Sequence, residues 1–226
     1  MNSESNHYSQ QNFLRFAFER EALKFGEFKT KSGRLSPYFF NAGGLYNGSD
    51  LNALASAYAS VIYDNFGGEI DMIFGPAYKG ITLAALICAE LQRTYGLDIA
   101  YGFNRKEAKD HGEKGLFVGK APQAGDRLII VDDVITAGTA IRETMDLLGG
   151  IQGLQIKGIV VAIDRMEKAT GKNLSAVQEV KQQYDIPVVS ITSIQGILDH
   201  LNDGTFGDLS EDLCQKIHAY RREYGV

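Results

Sequence analysis

At 226 residues the chain has room for one substantial domain with a core that needs no covalent staples. A hydrophobic share of 44% and a charged share of 23% are those of an ordinary globular protein, and a net charge of −5 argues against a general nucleic-acid binder or a protein that clings to acidic membranes. Cys88 and Cys214 form no metal-ligand spacing, the polar start MNSESNHYSQQNF lacks the apolar core of a signal peptide, and no apolar run approaches the roughly 18 residues of a membrane span; a reducing cytoplasm is expected.

Taken in chain order, Phe13, Phe16, Ala17 and Leu23 recur at three-and-four spacing and predict a helix over 8–24. Two aromatic-rich strands follow within 25–44, around a turn at Ser32, Gly33 and Arg34. Ser49 or Asp50 is placed to cap a helix running to Phe66, ahead of Gly67 and Gly68. The pattern then alternates: strand 71–75, helix 80–95, strand 99–103, a charged loop over 104–115, strand 116–119, strand 127–133, helix 139–148, strand 156–164, helix 174–184 and strand 187–191. Two more helices are predicted near 194–201 and 209–224.

Continuous Ile/Val strands separated by helices imply a mostly parallel sheet covered on both faces. The expected fold is α/β, doubly wound, flanked by helices and carrying an N-terminal helix-and-hairpin hood. Without an internal repeat or linker, 1–226 reads as a single domain, with the hood over about 1–48 and the α/β core over 49–226. Ligands of such sheets sit beyond the carboxyl ends of the strands. Chemistry is therefore expected just after positions 74, 103, 132 and 164.

The segment 128-LIIVDDVITAGTA-140 concentrates it. Four apolar residues form a buried strand that delivers Asp132 and Asp133 at its carboxyl end, and a short loop leads into a helix. Gly138, among small neighbours, lets the backbone approach a ligand closely. The N–H groups of the helix start, with the hydroxyls of Thr136 and Thr139, suit a phosphate dianion. Adjacent carboxylates repel and call for hydroxyl donors or a cation such as Mg²⁺. An Asp-Asp pair alone is as readily a turn and a helix cap. The segment is neither a P-loop nor a dinucleotide fingerprint.

This segment resembles the 5-phosphoribosyl-1-diphosphate (PRPP) binding motif of type I phosphoribosyltransferases. In the same order, 31-KSGRLSPYFFNAG-43, 74-FGPAYKGI-81, 103-FNRKEAKDHGEKG-115 and 164-DR-165 resemble segments of the bacterial orotate phosphoribosyltransferase family, and the likeness spans nearly the whole chain. It implies that Asp132 and Asp133 hold the ribose hydroxyls and that Val134, Ile135, Thr136, Ala137, Gly138, Thr139 and Ala140 bind the 5-phosphate. Tyr78, Lys79 and Lys31 would meet the diphosphate. Phe39 and Phe40 would hold the orotate ring, Arg165 its carboxylate, and Thr136 would add an orotate contact.

The likeness further implies that the charged loop is a lid closing over the neighbouring subunit of a homodimer. Arg105, Lys106, Lys109 and His111 match its residues, with Lys109, alongside Asp132 and Asp133, in the catalytic role. Mg²⁺ would be held mainly by PRPP and water rather than by protein ligands. Each residue also has a plainer reading. One of Phe39 and Phe40, alternating across a strand, belongs to the core; Lys31 and Lys79 read as surface lysines; Arg165 can pair with Asp164 or Glu167. A phosphoribosyltransferase for another base, and a PRPP-sensing regulator, remain as rivals. The tip 1–10, the turn 44–50 and the stretch 166–175 carry no assigned role.

Overall fold

The computed structural model describes residues 9–30, 33–107, 115–135, 138–169 and 171–226. It opens with helix α1 (Gln10–Glu19), capped by the Ser9 hydroxyl accepting from Asn12 N–H at 3.2 Å, and an antiparallel hairpin, β1 (Leu23–Lys29) and β2 (Leu35–Phe40). The predicted first helix stops short of Lys24 because Glu21 turns left-handed at φ 55 and Leu23 already pairs with Phe40. Helix α2 (Gly48–Phe66) begins earlier than expected, with Asn47 at its cap. Asp50 does not cap: it is buried in the first turn, where Arg20 holds it at 3.0 Å and ties α1 to α2.

The α/β core then runs β3 (Met72–Phe74), α3 (Lys79–Tyr95), β4 (Ala100–Asn104), β5 (Phe117–Gly119), β6 (Arg127–Val134), α4 (Thr139–Gly149), β7 (Gln155–Asp164), α5 (Ala176–Tyr184), β8 (Val188–Ser193), α6 (Ile194–Asp199) and α7 (Glu211–Tyr224). The α5 start lies two residues past the predicted one because Ser175 and Gln178 form a reciprocal capping box. The sheet order is β5-β4-β3-β6-β7-β8, parallel throughout except for the antiparallel β4–β5 pair.

Alternation along the strands divides the core. Ile73, Ile129, Val131 and Val160 face one layer with α2, α3 and the hood, whereas Met72, Phe74, Leu128, Ile130 and Val161 face the other with α4 and α5. This is the expected doubly wound arrangement, with the expected hood. Sequence-distant elements close the hood: Gln10 Nε2 donates to Thr192 Oγ1 and Gln11 Nε2 to Thr205 Oγ1, each at 3.1 Å. Phe18 and Phe25 meet the Phe206 ring edge-on, with centroids 5.6 and 5.1 Å away. Among the described residues no helix is long and apolar enough to cross a membrane.

Candidate active site

The chain leaves β3 toward β4 on one side and β6 toward β7 on the other, so β3 and β6 are the switch point where a doubly wound sheet opens a crevice. β6 brings fully buried Leu128–Val131 to the acid pair. Its end is fixed by the buried Tyr58 hydroxyl, which donates to the Asp132 carbonyl at 2.8 Å. Asp132 Oδ1 accepts from Asp133 N–H and Asp133 Oδ1 from Val134 N–H, both at 2.9 Å, and the Lys79 ammonium pairs with Asp133. Burial, and next the neighbouring Asp133 charge, push the Asp132 carboxyl up to about 6. Burial drives the Tyr58 phenol well above its usual range too, so it stays a neutral donor.

Two loops rise beside this pair. After β3 the chain doubles back so tightly that Gly75 and Gly80 lie backbone against backbone: a Cβ on Gly80 would meet the Gly75 carbonyl carbon at 2.6 Å. That turn sets Lys79 at the first residue of α3 and leaves Tyr78 72% exposed, with the Lys106 ammonium 5.6 Å from its ring centroid. After β6, Val134 is half-buried and Ile135 packs into the α4–α5 layer. Gly138 caps α4 at φ 70, where a Cβ would crowd Arg142 Nη1 at 2.9 Å. Among the described residues no side chain caps α4, and Thr139 and Ala140 are exposed at its start, where helix N–H groups favour an anion.

The hood supplies the opposite wall. Phe39 is 42% exposed and stacks on Phe28 at 5.4 Å, whereas Phe40 turns inward against Phe13. Alternation thus makes Phe40 the more buried and Phe39 the more exposed of the two, and both line the cleft. Arg165 lies just past β7, and its guanidinium is engaged by Glu167 at 2.7 Å, the plainer of its two readings. It still lines the cleft.

Phe39, Tyr78, Lys79, Asp132, Asp133 and Arg165 all open on one cleft of about 1210 Å³. Arg105 is not among its lining residues; its backbone N–H bonds Leu116 at 2.7 Å and its Nη1 bonds Gly115 at 2.9 Å, at the neck of the charged loop. Lys31, Lys109, His111, Thr136 and Ala137 lie outside the described residues. The structure adds Lys29, Arg34 and Arg142 to the lining, and also Glu167, Lys168 and Lys172 from the stretch that carries no role in the sequence reading. That stretch has no strand or helix period to announce it; it reaches the cleft by bridging Lys168 to Ser175 and Glu167 to Gly225.

A paired acid thus stands at the switch point of the parallel sheet, beside the start of α4 behind a glycine turn. The family described as the phosphoribosyl transferase domain matches residues 43–191. An orotate phosphoribosyltransferase of Stutzerimonas stutzeri is 49% identical over 218 residues, covering 96% of this chain and 98% of its own length. One from Clostridium acetobutylicum is 42% identical over 220 residues, covering 96% and 98%. The crystal structure of orotate phosphoribosyltransferase from Francisella tularensis superposes with a TM-score of 0.84 at 41% identity, covering 95% of this chain and 99% of that one. The chain belongs to the orotate phosphoribosyltransferases.

Proposed function

We propose that the chain transfers the phosphoribosyl group of PRPP to orotate, giving orotidine 5-monophosphate and diphosphate in pyrimidine synthesis. The observation that carries this reading is the meeting, in one cleft, of the Asp132–Asp133 pair with Lys79, the Phe39 face and Arg165. The hood over about 1–48 and the core over 49–226 act as one domain around it. Asp132 and Asp133 accept hydrogen bonds from the ribose hydroxyls, and the loop Val134 to Ala140 with the α4 start holds the 5-phosphate. Phe39 and Phe40 hold the base, with Phe39 the more exposed, Thr136 adds a contact, and Arg165 meets the carboxylate that distinguishes orotate from other bases.

Bond cleavage at the anomeric carbon builds positive charge on the sugar and negative charge on the diphosphate. Tyr78 and Lys79, with Lys31 and the loop residues Arg105, Lys106, Lys109 and His111, are assigned to the diphosphate, and the loop also keeps water from the anomeric carbon. Among the described residues no three His, Cys, Asp or Glu side chains form a cage for a metal. The carboxylates of the acid pair suit Mg²⁺ carried mainly on PRPP oxygens and water, where the ion would add positive charge at the leaving group. The enzyme is assigned to the cytoplasm, in keeping with two free cysteines.

The direct test follows orotate depletion by its ultraviolet absorbance with PRPP and Mg²⁺ present, then with each left out. Depletion that needs both supports the assignment; consumption of adenine or another base in place of orotate overturns it. Two further results are expected. Below pH about 6 Asp132 takes up a proton, so the KM for PRPP rises by up to about tenfold per pH unit on acidification, and Asp132→Asn flattens that slope. The same raised pKa makes the fold lose stability as pH climbs from the ordinary carboxylate range to about 6, because the native state binds this proton more tightly than the unfolded chain. The loop is also assigned to the partner site of a two-fold homodimer. Mixing Lys109→Ala with Arg165→Ala protein should then restore activity through subunit exchange, and proven exchange without recovery would refute the sharing.

A further inference from the structure

The guanidinium of Arg165 is held on several sides. Its Nε and Nη2 both donate to Glu167 Oε1, at 3.0 and 2.7 Å, and Nη2 also donates to Ser36 Oγ at 3.1 Å. Beneath it lies the Tyr38 ring, 4.6 Å from the guanidinium carbon to the ring centroid. The Tyr38 hydroxyl donates to the same Glu167 oxygen at 2.9 Å. Of the five N–H donors of Arg165, only the two on Nη1 have no bond among the described residues.

The backbone that carries both residues is pinned as well. Met166, between them, is left-handed at φ 48. Its N–H bonds Asp164 Oδ1 at 2.8 Å, and its carbonyl accepts from Val226 N–H at 3.0 Å and Arg221 Nη1 at 3.4 Å. Lys168 N–H bonds the Tyr224 carbonyl at 2.8 Å. On the far side Arg34 stacks on the Tyr224 ring at 4.6 Å, donates to the Lys168 carbonyl at 2.8 Å and lies 3.9 Å from Glu167 Oε2. Glu167 thus stands between two arginines of the cleft, with its chain position fixed by the α7 end.

We infer that Glu167 is the positioning residue for base recognition: clamping the Nε–Nη2 edge of Arg165, it presents the Nη1 edge alone to the substrate carboxylate. This rests on the reading of Arg165 as the partner of that carboxylate. The effect is one of orientation, because a planar donor group discriminates only when its plane and edge are fixed. A competing role is imaginable on charge alone, with Glu167 drawing off part of the arginines' field from the substrate. The two roles predict opposite responses to separating charge from reach.

Glu167→Asp keeps the charge and withdraws the oxygen by one methylene; Glu167→Gln keeps the oxygen in place and removes the charge. Positioning predicts a KM for orotate raised about tenfold by E167D, the size of a lost hydrogen bond to a charged group, and by no more than about threefold by E167Q. The KM for PRPP should stay within about twofold in both, whereas a merely structural role would move both constants together. On the Arg165→Ala background E167D should add nothing further to the orotate KM. An E167Q enzyme that binds orotate more tightly than wild type, or an E167D enzyme with a wild-type orotate KM, overturns the inference. If Arg165→Ala itself leaves orotate binding unchanged, the base-site reading has failed instead.

Discussion

Lys109→Ala is expected to lower kcat by about 10²- to 10³-fold, the usual cost of losing one preorganised donor at the atom where charge develops. The described cations near the proposed diphosphate side already have claims on them. Lys79 is paired with Asp133, Lys106 rests over the Tyr78 ring, and Arg105 Nη1 is bonded to the Gly115 carbonyl. On the proposed reaction a departing diphosphate would gain charge that these groups meet only in part, and the loop lysine is assigned to meet the rest. The measurement is steady-state turnover at saturating orotate and PRPP, with a thermal melt to show an intact fold. Turnover near that of the parent enzyme would remove Lys109 from the mechanism.

Gly75→Ala should cost both stability and activity. Its Cβ would fall on the Gly80 carbonyl and come within 3.0 Å of the Ala84 Cβ, and the reciprocal Cβ on Gly80 would sit 2.9 Å from Pro76 Cδ. Main chain faces main chain there, so no side chain can rotate away. Overpacking of this kind costs about 2–3 kcal/mol, or a fall in Tm of about 5–10 °C for a chain of this size. Opening the turn also moves Tyr78 and Lys79 relative to Asp133, and a shift of about 1 Å at such a site is worth about 10²-fold in rate. A calorimetric melt and a turnover assay check the pair of effects. An unchanged Tm would mean the turn can relax.

What could be read ahead of the structure follows the range of the forces involved. Strand 128–131 and the acid pair were legible because a run of Leu, Ile and Val into two aspartates has one comfortable place in a parallel sheet, a buried strand whose carboxyl end opens on the cleft. The helix start at Gly48 was misplaced because Asp50, a good cap by composition, is drawn inward by Arg20, thirty residues before it. Phe39 and Phe40 could be separated in principle by strand parity, but which of them faces inward depends on where Phe13 packs. The stretch 166–175 could not be read at all. Its place at the cleft is set by bonds from Tyr224 and Val226, partners that no local pattern reveals.

The closure of the hood by late-sequence residues of β8 and the turn before α7 has a consequence for how the molecule is made. Gln10 and Gln11 find partners 182 and 194 residues further on, and Phe18 and Phe25 find Phe206. On a ribosome adding about 5–20 residues per second, the acid pair emerges several seconds before α6 and α7 exist. Through that interval Phe18 and Phe25 have each other but lack the Phe206 ring that closes over them. The aromatic layer of the hood is therefore completed only once Phe206 has been made, well after the acid pair.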